Sequence, residues 1–132
     1  MILMSLLLAT APVAAPADPA VEQDILVIGR KLETWTAKYS VRGSRMRCRT
    51  KKSSGDAEID AIGCTAFREC TVQHLPRLTA SDDRALERRV RLDMKAAIKR
   101  DLAACTRSRL DELIADLAER RSEARRGRNG SD

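Results

Sequence analysis

The sequence predicts a small α+β domain in which a short antiparallel sheet of two or three strands packs on two or three helices, stabilised by disulfide bridges. Three observations favour this class. Residues 37–50 alternate between apolar and polar side chains on both sides of a Gly-Ser pair, which is the pattern of a β-hairpin. After residue 56 the apolar side chains recur with a helical period. The four cysteines form an even set, as disulfide-stabilised domains require.

The first element that the pattern predicts is a short buried strand over residues 25–28. This run is continuously apolar and contains two isoleucines and a valine, and Gly29 follows it. Such a run is typical of a strand that is covered on both faces. It would add a third strand to the two strands of the hairpin.

A β-hairpin is predicted over residues 37–50, with its turn at Gly43 and Ser44. A glycine at the first position of a two-residue loop fits a type II′ turn. The resulting register pairs Val41 with Met46 and places the apolar residues of both arms on one face. The other pairs on this face are Tyr39 with Cys48 and Ala37 with Thr50, and the polar face contains Arg42 with Arg45, Ser40 with Arg47, and Lys38 with Arg49.

The first predicted helix lies between residues 53 and 76. Apolar side chains recur there at the spacing of one buried helical stripe. A serine or an aspartate would cap its start, and Pro76 closes the segment. The candidate caps are Ser53, Ser54 and Asp56, and the stripe consists of Ile59, Ile62, Gly63, Ala66, Phe67 and Cys70.

A second helix is predicted to begin after Ser81, with Asp82 and Asp83 in its first turn, where carboxylates interact favourably with the helix dipole. Near Ser108 the apolar stripe changes phase, so the segment is either one helix or two. A disordered tail is predicted over residues 127–132. The apolar stripes consist of Leu86, Val90, Met94, Ala97, Ile98 and Cys105 before the change, and of Leu110, Leu113, Ile114 and Leu117 after it.

The N-terminal residues 1–17 have the features of a secretory signal peptide. Residues 2–15 are mostly apolar, and this stretch is too short to span a bilayer. Small residues at Ala15 and Ala17 fit a cleavage site, so the single folded domain would comprise residues 18–126. The protein is therefore predicted to be periplasmic or secreted, without a transmembrane segment.

Four cysteines allow three disulfide pairings, and the predicted faces favour one of them. Cys64 and Cys70 are six residues apart, so on a helix they point to different sides and should not pair. Cys70 and Cys105 both lie on inward-facing stripes, which favours a bridge between them and leaves Cys48 for Cys64. Aromatic residues make up only 2% of the chain, so the core should be thin and depend on these bridges. The absence of a C-x-x-C pair argues against a zinc site or a redox centre.

The sequence offers no catalytic constellation, and it predicts a non-enzymatic protein without a metal or a cofactor. The only histidine, His74, lies at the end of the first predicted helix, where a capping or surface role is usual. A helical wheel places Asp101 in the apolar stripe of the second helix. No second histidine, nucleophile elbow or phosphate-binding glycine loop accompanies them.

The polar face of the hairpin is strongly basic, in a chain whose formal net charge is +6. Like charges directly across a sheet are destabilising, so such pairs are either screened by acidic neighbours or used to bind an anion. Asp56, Glu58 and Asp60 lie just downstream and are the candidates for screening. The candidate anion-binding residues are Lys38, Arg42, Arg45, Arg47, Arg49 and Lys51.

The leading hypothesis is a non-enzymatic periplasmic module whose basic hairpin face binds an anionic envelope component or an acidic protein. Tyr39 is the one aromatic residue near the basic side chains and lies on the opposite face, which argues against nucleic acid. A solvated basic face that protects the strands from aggregation is the plain alternative. The alternative function is a structural envelope protein that acts through its charged C-terminal helices, as a monomer or an oligomer.

Residues 24–70 contain the motifs "DILVIGRKL" from Asp24, Trp35, Cys48, "SSGD" from Ser53, "IDAIGC" ending at Cys64, and Cys70. Together these motifs resemble those of small exported, cysteine-containing proteins of unknown function from Gram-negative bacteria. The resemblance implies export and a paired role for the cysteines of this region. It implies no activity and no catalytic residue.

Overall fold

The computed structural model describes residues 18–131, which form three helices and one two-stranded antiparallel sheet. The predicted α+β class, stabilised by disulfides, is therefore confirmed. The predicted signal peptide lies outside the described residues. In chain order the elements are α1 (Pro19–Thr34), β1 (Thr36–Arg42), β2 (Arg45–Lys52), α2 (Ala57–Ser81) and α3 (Arg88–Asn129).

The strand predicted over residues 25–28 is wrong, because this run lies inside α1. Asp18 caps the helix by accepting a hydrogen bond from the Ala20 amide at 2.9 Å, and a proline fits the first turn. Ile28 is 1% exposed whereas Leu26 is 58% exposed, as expected for a helix that is covered on one side only. The side of α1 that faces the core contains Val21, Ile25, Ile28 and Leu32, which recur at helical spacing.

The hydrophobic core lies where α1, the start of α2 and the C-terminal half of α3 meet. Its buried side chains are aliphatic and few, as the composition predicts. Beyond this core, the second half of α2 and the first half of α3 continue as a pair of helices, here called the α2–α3 arm (residues 70–105). The buried residues of this core are Ile28, Ile59, Ile62, Ile114, Leu117 and Ala118.

The end predicted for the first helix at Pro76 is wrong, because α2 continues to Ser81. A proline inside a helix removes one backbone hydrogen bond and costs about 3 kcal/mol. Packing on α3 offsets this cost, because α2 and α3 share the most extensive contact between elements and Ser81 at the end of α2 is completely buried. The neighbouring helix therefore overrides the local signal.

The start predicted for the second helix after Ser81 is also wrong, because α3 begins at Arg88. Asp82 is the C-cap residue of α2, and the Asp83 side chain accepts a hydrogen bond from the Ala85 amide at 2.9 Å. The two aspartates thus form the turn between the helices instead of the first turn of α3.

α3 is a single helix of 42 residues, which settles the choice between one helix and two. The stripe changes phase near Ser108 because the partners of the helix change there: its first half contacts α2, and its second half contacts α1 as well. The helix also continues through Asn129, so it includes the first residues of the predicted disordered tail. Arg126 and Arg128 in its last turn interact favourably with the helix dipole.

The two strands pair in the register that the alternating pattern predicts, from Ala37 with Thr50 to Arg42 with Arg45. Gly43 has a φ of 59° and Ser44 does not have a positive φ, as in a type II′ turn. The register shifts at the other end of the hairpin, where Thr36 pairs with Lys52. Lys51 therefore has no cross-strand partner.

Two disulfide bridges tie these elements together, and they are the pairs that the predicted faces favour. Cys48 of β2 is bonded to Cys64 of α2, with 5.6 Å between the Cα atoms. Cys70 of α2 is bonded to Cys105 of α3, with 5.9 Å between the Cα atoms. One bridge therefore fixes the hairpin to the helices, and the other fixes the two helices of the arm to each other.

Candidate anion-binding surface

Trp35 positions the hairpin against the helices. It follows α1 directly, and its indole Nε1 donates a hydrogen bond to Thr50 Oγ1 of β2 at 3.1 Å. The six-membered ring of the indole lies against Gly63 of α2, where even a methyl group would overlap it. Together with the Cys48–Cys64 bridge, these contacts hold one face of the hairpin on α2.

The apolar face of the hairpin packs on α2 through aromatic rings. The ring centroids of Tyr39 and Phe67 are 4.1 Å apart, and the ring of Trp35 approaches Tyr39 edge-on at 6.4 Å. Burial raises the pKa of the Tyr39 phenol above its ordinary value. Because this face meets the helices, the opposite face of the hairpin points into solvent.

The solvent face carries the predicted basic residues, all of them exposed. Arg42 lies directly opposite Arg45, and Lys38 lies directly opposite Arg49. Ser40 and Arg47 form the pair between these two. We call this solvent-exposed side of the hairpin the basic face. It forms a depression of about 410 Å³ that is lined by Lys38, Ser40, Arg42, Arg45 and Arg47.

Two of the predicted residues lie outside this depression. Lys51 lies at the register shift and is separated from the Gly43 turn by most of β2. Arg49 lines a second depression of about 520 Å³, to which α2 contributes Arg68. Sequence reasoning missed Arg68, because its nearness to Arg49 depends on the packing of the hairpin on α2.

The acidic residues that the sequence offers for screening are bound elsewhere. Asp56 and Glu58 both accept hydrogen bonds from Arg121 of α3, at 2.9 Å and 2.8 Å. Asp60 accepts from the hydroxyls of Ser53 and Ser54 at 2.5 Å and 2.6 Å. Within residues 18–131, no basic residue of the hairpin forms an ion pair.

These contacts also stabilise the charged forms of the acidic residues. Burial alone would raise the pKa of Asp56, but hydrogen bonds from Arg121 and from the Ile59 amide outweigh it and lower the pKa. Hydrogen bonds from Ser53 and Ser54 lower the pKa of Asp60. Both carboxylates therefore remain charged, but their charge is directed at the helix start and α3 instead of the basic face.

The charged residues of the hairpin are all basic. Residues 36–52 contain seven basic residues and no acidic residue. The whole chain contains 25 basic and 19 acidic residues, so the remainder has 18 basic and 19 acidic residues, a net charge of −1. The hairpin therefore has a net charge of +7 without a single acidic residue, whereas α3, whose net charge is +6, contains 13 basic and 7 acidic residues.

Two other polar residues that the sequence singles out, His74 and Asp101, contact groups of α2 and lie away from the basic face. His74 lies inside α2, and its Nδ1 is 2.8 Å from the carbonyl oxygen of Cys70. Asp101 lies on the α2-facing side of α3, as the wheel places it, but it is exposed and forms an ion pair with Arg77 at 2.6 Å. The Arg77 guanidinium lowers the pKa of Asp101. Because α2 is the main neighbour of α3 in the arm, a side chain on this side of α3 can still be exposed.

No group of three or more potential metal ligands comes together within the part of the chain that the structure describes. None of its helices combines the length and the apolar character needed to cross a membrane. Both disulfides are consistent with an oxidising, exported location.

Comparisons of the chain with protein-family models, with curated proteins and with solved structures find no match. The resemblance to small exported proteins of Gram-negative bacteria therefore stays a prediction.

Proposed function

We propose that the protein is a non-enzymatic exported module whose basic face binds a phosphate-bearing surface, such as anionic lipid head groups of the cell envelope. The observation that carries this proposal is the uncompensated charge of the hairpin: arginines lie directly opposite basic residues, and no acidic side chain among residues 18–131 pairs with them. Each such pair destabilises the sheet by a few tenths of a kcal/mol. Binding an anion removes this cost.

The chemistry and spacing of the basic face favour an extended array of phosphates over one compact ligand. A guanidinium group binds phosphate through two parallel N–H donors. Residues two apart on a strand repeat every ~6.8 Å, and paired residues of neighbouring strands are about 5 Å apart. The basic side chains therefore form a two-row lattice with room for several head groups.

Export supports the same proposal. The apolar residues 1–17 are proposed to direct the chain out of the cytoplasm, with cleavage near Ala17, and the two bridges fit the oxidising conditions of the periplasm. An anionic lipid surface is abundant there, whereas nucleic acid is scarce. We therefore assign the basic face to the envelope.

The test is binding to vesicles by the variant with Arg45→Glu, Arg47→Glu and Arg49→Glu. Each basic residue near an anionic membrane contributes about 1 kcal/mol, so binding to phosphatidylglycerol vesicles should weaken ~100-fold or more. Binding should also fall with rising salt, and it should be negligible for phosphatidylcholine vesicles. Cosedimentation at several salt concentrations measures all three effects.

A matched control separates the basic face from net charge. Arg89, Arg100 and Arg120 are exposed on α3 and form no ion pair among the described residues. Their triple change to Glu alters the net charge by the same amount and should weaken vesicle binding far less. Equal losses in the two triple variants, or no binding by the native protein at low salt, would contradict the proposal.

A second candidate function, a structural protein acting through its helices, is favoured by one observation on the α2–α3 arm. Val72, Val90 and Leu92 are exposed there, and Leu92 is 54% exposed. Two helices alone cover little apolar surface, so a second copy of the arm could cover the rest. Sedimentation over a concentration series tests this. The native protein should form a dimer at high concentration, and the Leu92→Glu variant should remain a monomer.

A further inference from the structure

A groove separate from the basic face lies between the hairpin and α3. Its volume is about 480 Å³, and its walls come from Tyr39 of β1, Phe67 of α2 and one side of α3. Tyr39 belongs to the apolar face of the hairpin, so the groove opens on the other side of the sheet from the paired arginines. The residues that α3 contributes are Lys99, Leu102, Ala103, Thr106, Arg107 and Leu110.

The α3 side of the groove consists of two parallel rows with a helical spacing of four residues. One row, Leu102, Thr106 and Leu110, is half-buried. The other row places Ala103 between Lys99 and Arg107, which are eight residues and therefore about 12 Å apart along the helix axis. Because alanine is small, the groove remains open between the two basic residues.

The remaining wall is aromatic. The rings of Tyr39 and Phe67 are tilted by 31° with their centroids 4.1 Å apart, and both line the groove opposite α3. Burial raises the pKa of Tyr39, so its phenol stays uncharged in this wall. Apart from its two basic residues, the lining is therefore mostly apolar.

The two basic residues of the groove lack acidic partners within residues 18–131. Other basic residues of α3 are paired: Lys95 with Asp82 at 2.7 Å, and Arg109 with Glu69 at 2.5 Å. Lys99 and Arg107 form no ion pair in the described chain. An apolar groove flanked by unpaired cations is complementary to a molecule that joins an apolar body to an acidic group.

We infer that this groove binds a single-chain amphiphilic anion such as a fatty acid. The acyl chain lies along the Tyr39–Phe67 wall and the Leu102–Leu110 row, and the carboxylate contacts a basic residue at one end. Each buried methylene group favours binding, and the unpaired cation fixes the orientation of the chain. The site goes beyond the proposed function, because its residues are distinct from those of the basic face.

The test uses dodecanoate below its critical micelle concentration, with titration calorimetry as the readout. Dodecanol and dodecyltrimethylammonium carry the same apolar chain without the negative charge, and they should bind about tenfold more weakly or not at all. Ala103→Trp fills the groove and should abolish dodecanoate binding. The matched control is Ala104→Trp, because Ala104 is exposed on α3 but does not line the groove. Equal binding by these two variants, or by the cationic amphiphile, would overturn the inference.

A second comparison tests the charges. The double variant with Lys99→Glu and Arg107→Glu should bind dodecanoate about tenfold more weakly than the native protein. The double variant with Arg100→Glu and Arg120→Glu has the same net charge and should bind like the native protein. Equal affinities of these two double variants would contradict the charge complementarity on which the assignment depends.

The two sites can fail separately. The variant with Arg45→Glu, Arg47→Glu and Arg49→Glu lacks the basic face but retains every residue that lines the groove. It should bind dodecanoate like the native protein while losing its affinity for phosphatidylglycerol vesicles. Loss of dodecanoate binding in this variant would overturn the groove as an independent site.

Discussion

Trp35 connects three elements of the fold through one side chain. It ends α1, donates a hydrogen bond to β2 and covers Gly63 of α2. The sequence places Gly63 in the buried stripe of a helix, and the structure agrees. The partner of Gly63 could not be predicted, because it lies far away in the chain and reaches α2 only once the hairpin is in place. Contacts of this kind are long-range, whereas periodicity reports only which side of an element is covered.

We expect Gly63→Ala to lower the free energy of unfolding by about 1–3 kcal/mol, because the new methyl group must displace the Trp35 ring. The helix propensity of alanine favours the opposite result by about 1 kcal/mol. Gly29→Ala in α1 is the matched control, since no atom lies within 4 Å of its added methyl group. The control should be more stable than the native protein in urea denaturation with the bridges intact. A Gly63→Ala variant of native stability would show that Trp35 does not pack there in solution.

At the scale of elements, the sequence predicts the hairpin better than the helices. In a hairpin the apolar residues of both arms must fall on the same face for one position of the turn. The register therefore follows from residues 37–50 alone. A short apolar run has no second segment that must match it. Residues 25–28 therefore fit a strand or the buried side of a helix equally well. The helix boundaries at Pro76 and Asp82 depend on contacts between α2 and α3 that no local pattern contains.

The same contrast holds for the candidate sites. The basic face could be predicted because its residues belong to two adjacent strands with a fixed register. Arg68 could not be included, since it approaches Arg49 from another element. The groove beside α3 joins Tyr39, Phe67 and a helix face from three separate elements, and only the packing brings them together.

Each disulfide should stabilise a different part of the molecule. The Cys70→Ala, Cys105→Ala variant should lose ~4 kcal/mol of stability in the chain-entropy model, and amide hydrogen exchange should increase in the α2–α3 arm. The Cys48→Ala, Cys64→Ala variant should lose ~3 kcal/mol, with faster exchange in β1 and β2, because an isolated hairpin is marginally stable. Identical exchange patterns in the two variants would contradict this division.

At the scale of the whole molecule, ion pairs on α3 join parts of the chain that are distant in sequence. Arg125 forms an ion pair with Asp24, and Arg126 with Asp18 at 3.0 Å, so the end of α3 is tied to the start of α1. Arg121 ties α3 to the start of α2 through Asp56. These arginines of α3 pair with acidic residues near the starts of α1 and α2, whereas no basic residue of the hairpin forms an ion pair within residues 18–131.

These pairs predict that the protein loses stability in acid. Hydrogen bonds hold the pKa values of several carboxyls below their ordinary values. The contribution of these carboxyls to the free energy of unfolding is therefore fully present above about pH 4, where the carboxyls of the unfolded chain are also ionised. This contribution is lost as the pH falls through the lowered pKa values of the folded protein. Urea unfolding at several pH values between 7 and 2 measures the decline. The carboxyls concerned are Asp56, Asp60, Glu69, Asp82 and Asp101.

Asp56→Asn isolates one member of this set. Asparagine caps a helix as well as aspartate does, so the change removes mainly the charged hydrogen bonds with Arg121. We expect a loss of about 2 kcal/mol at pH 7 and a smaller loss as the pH falls through the lowered pKa of Asp56, because the native contact then loses its charge as well. A loss that stays constant over the pH range in which the Asp56 carboxyl becomes protonated would show that the Arg121 contact does not act through charge.

The bridge between Cys70 and Cys105 encloses the turn that joins α2 to α3. Arg84 and Ala85 are exposed in this turn and lie outside both helices. The peptide bond after Arg84 should therefore be accessible to a trypsin-like protease. After a cut at Arg84, α3 would remain covalently attached to the rest of the molecule through the bridge, and it would keep its ion pairs with α1. The nicked protein would therefore retain its hairpin, its groove and its helix packing as a two-chain molecule.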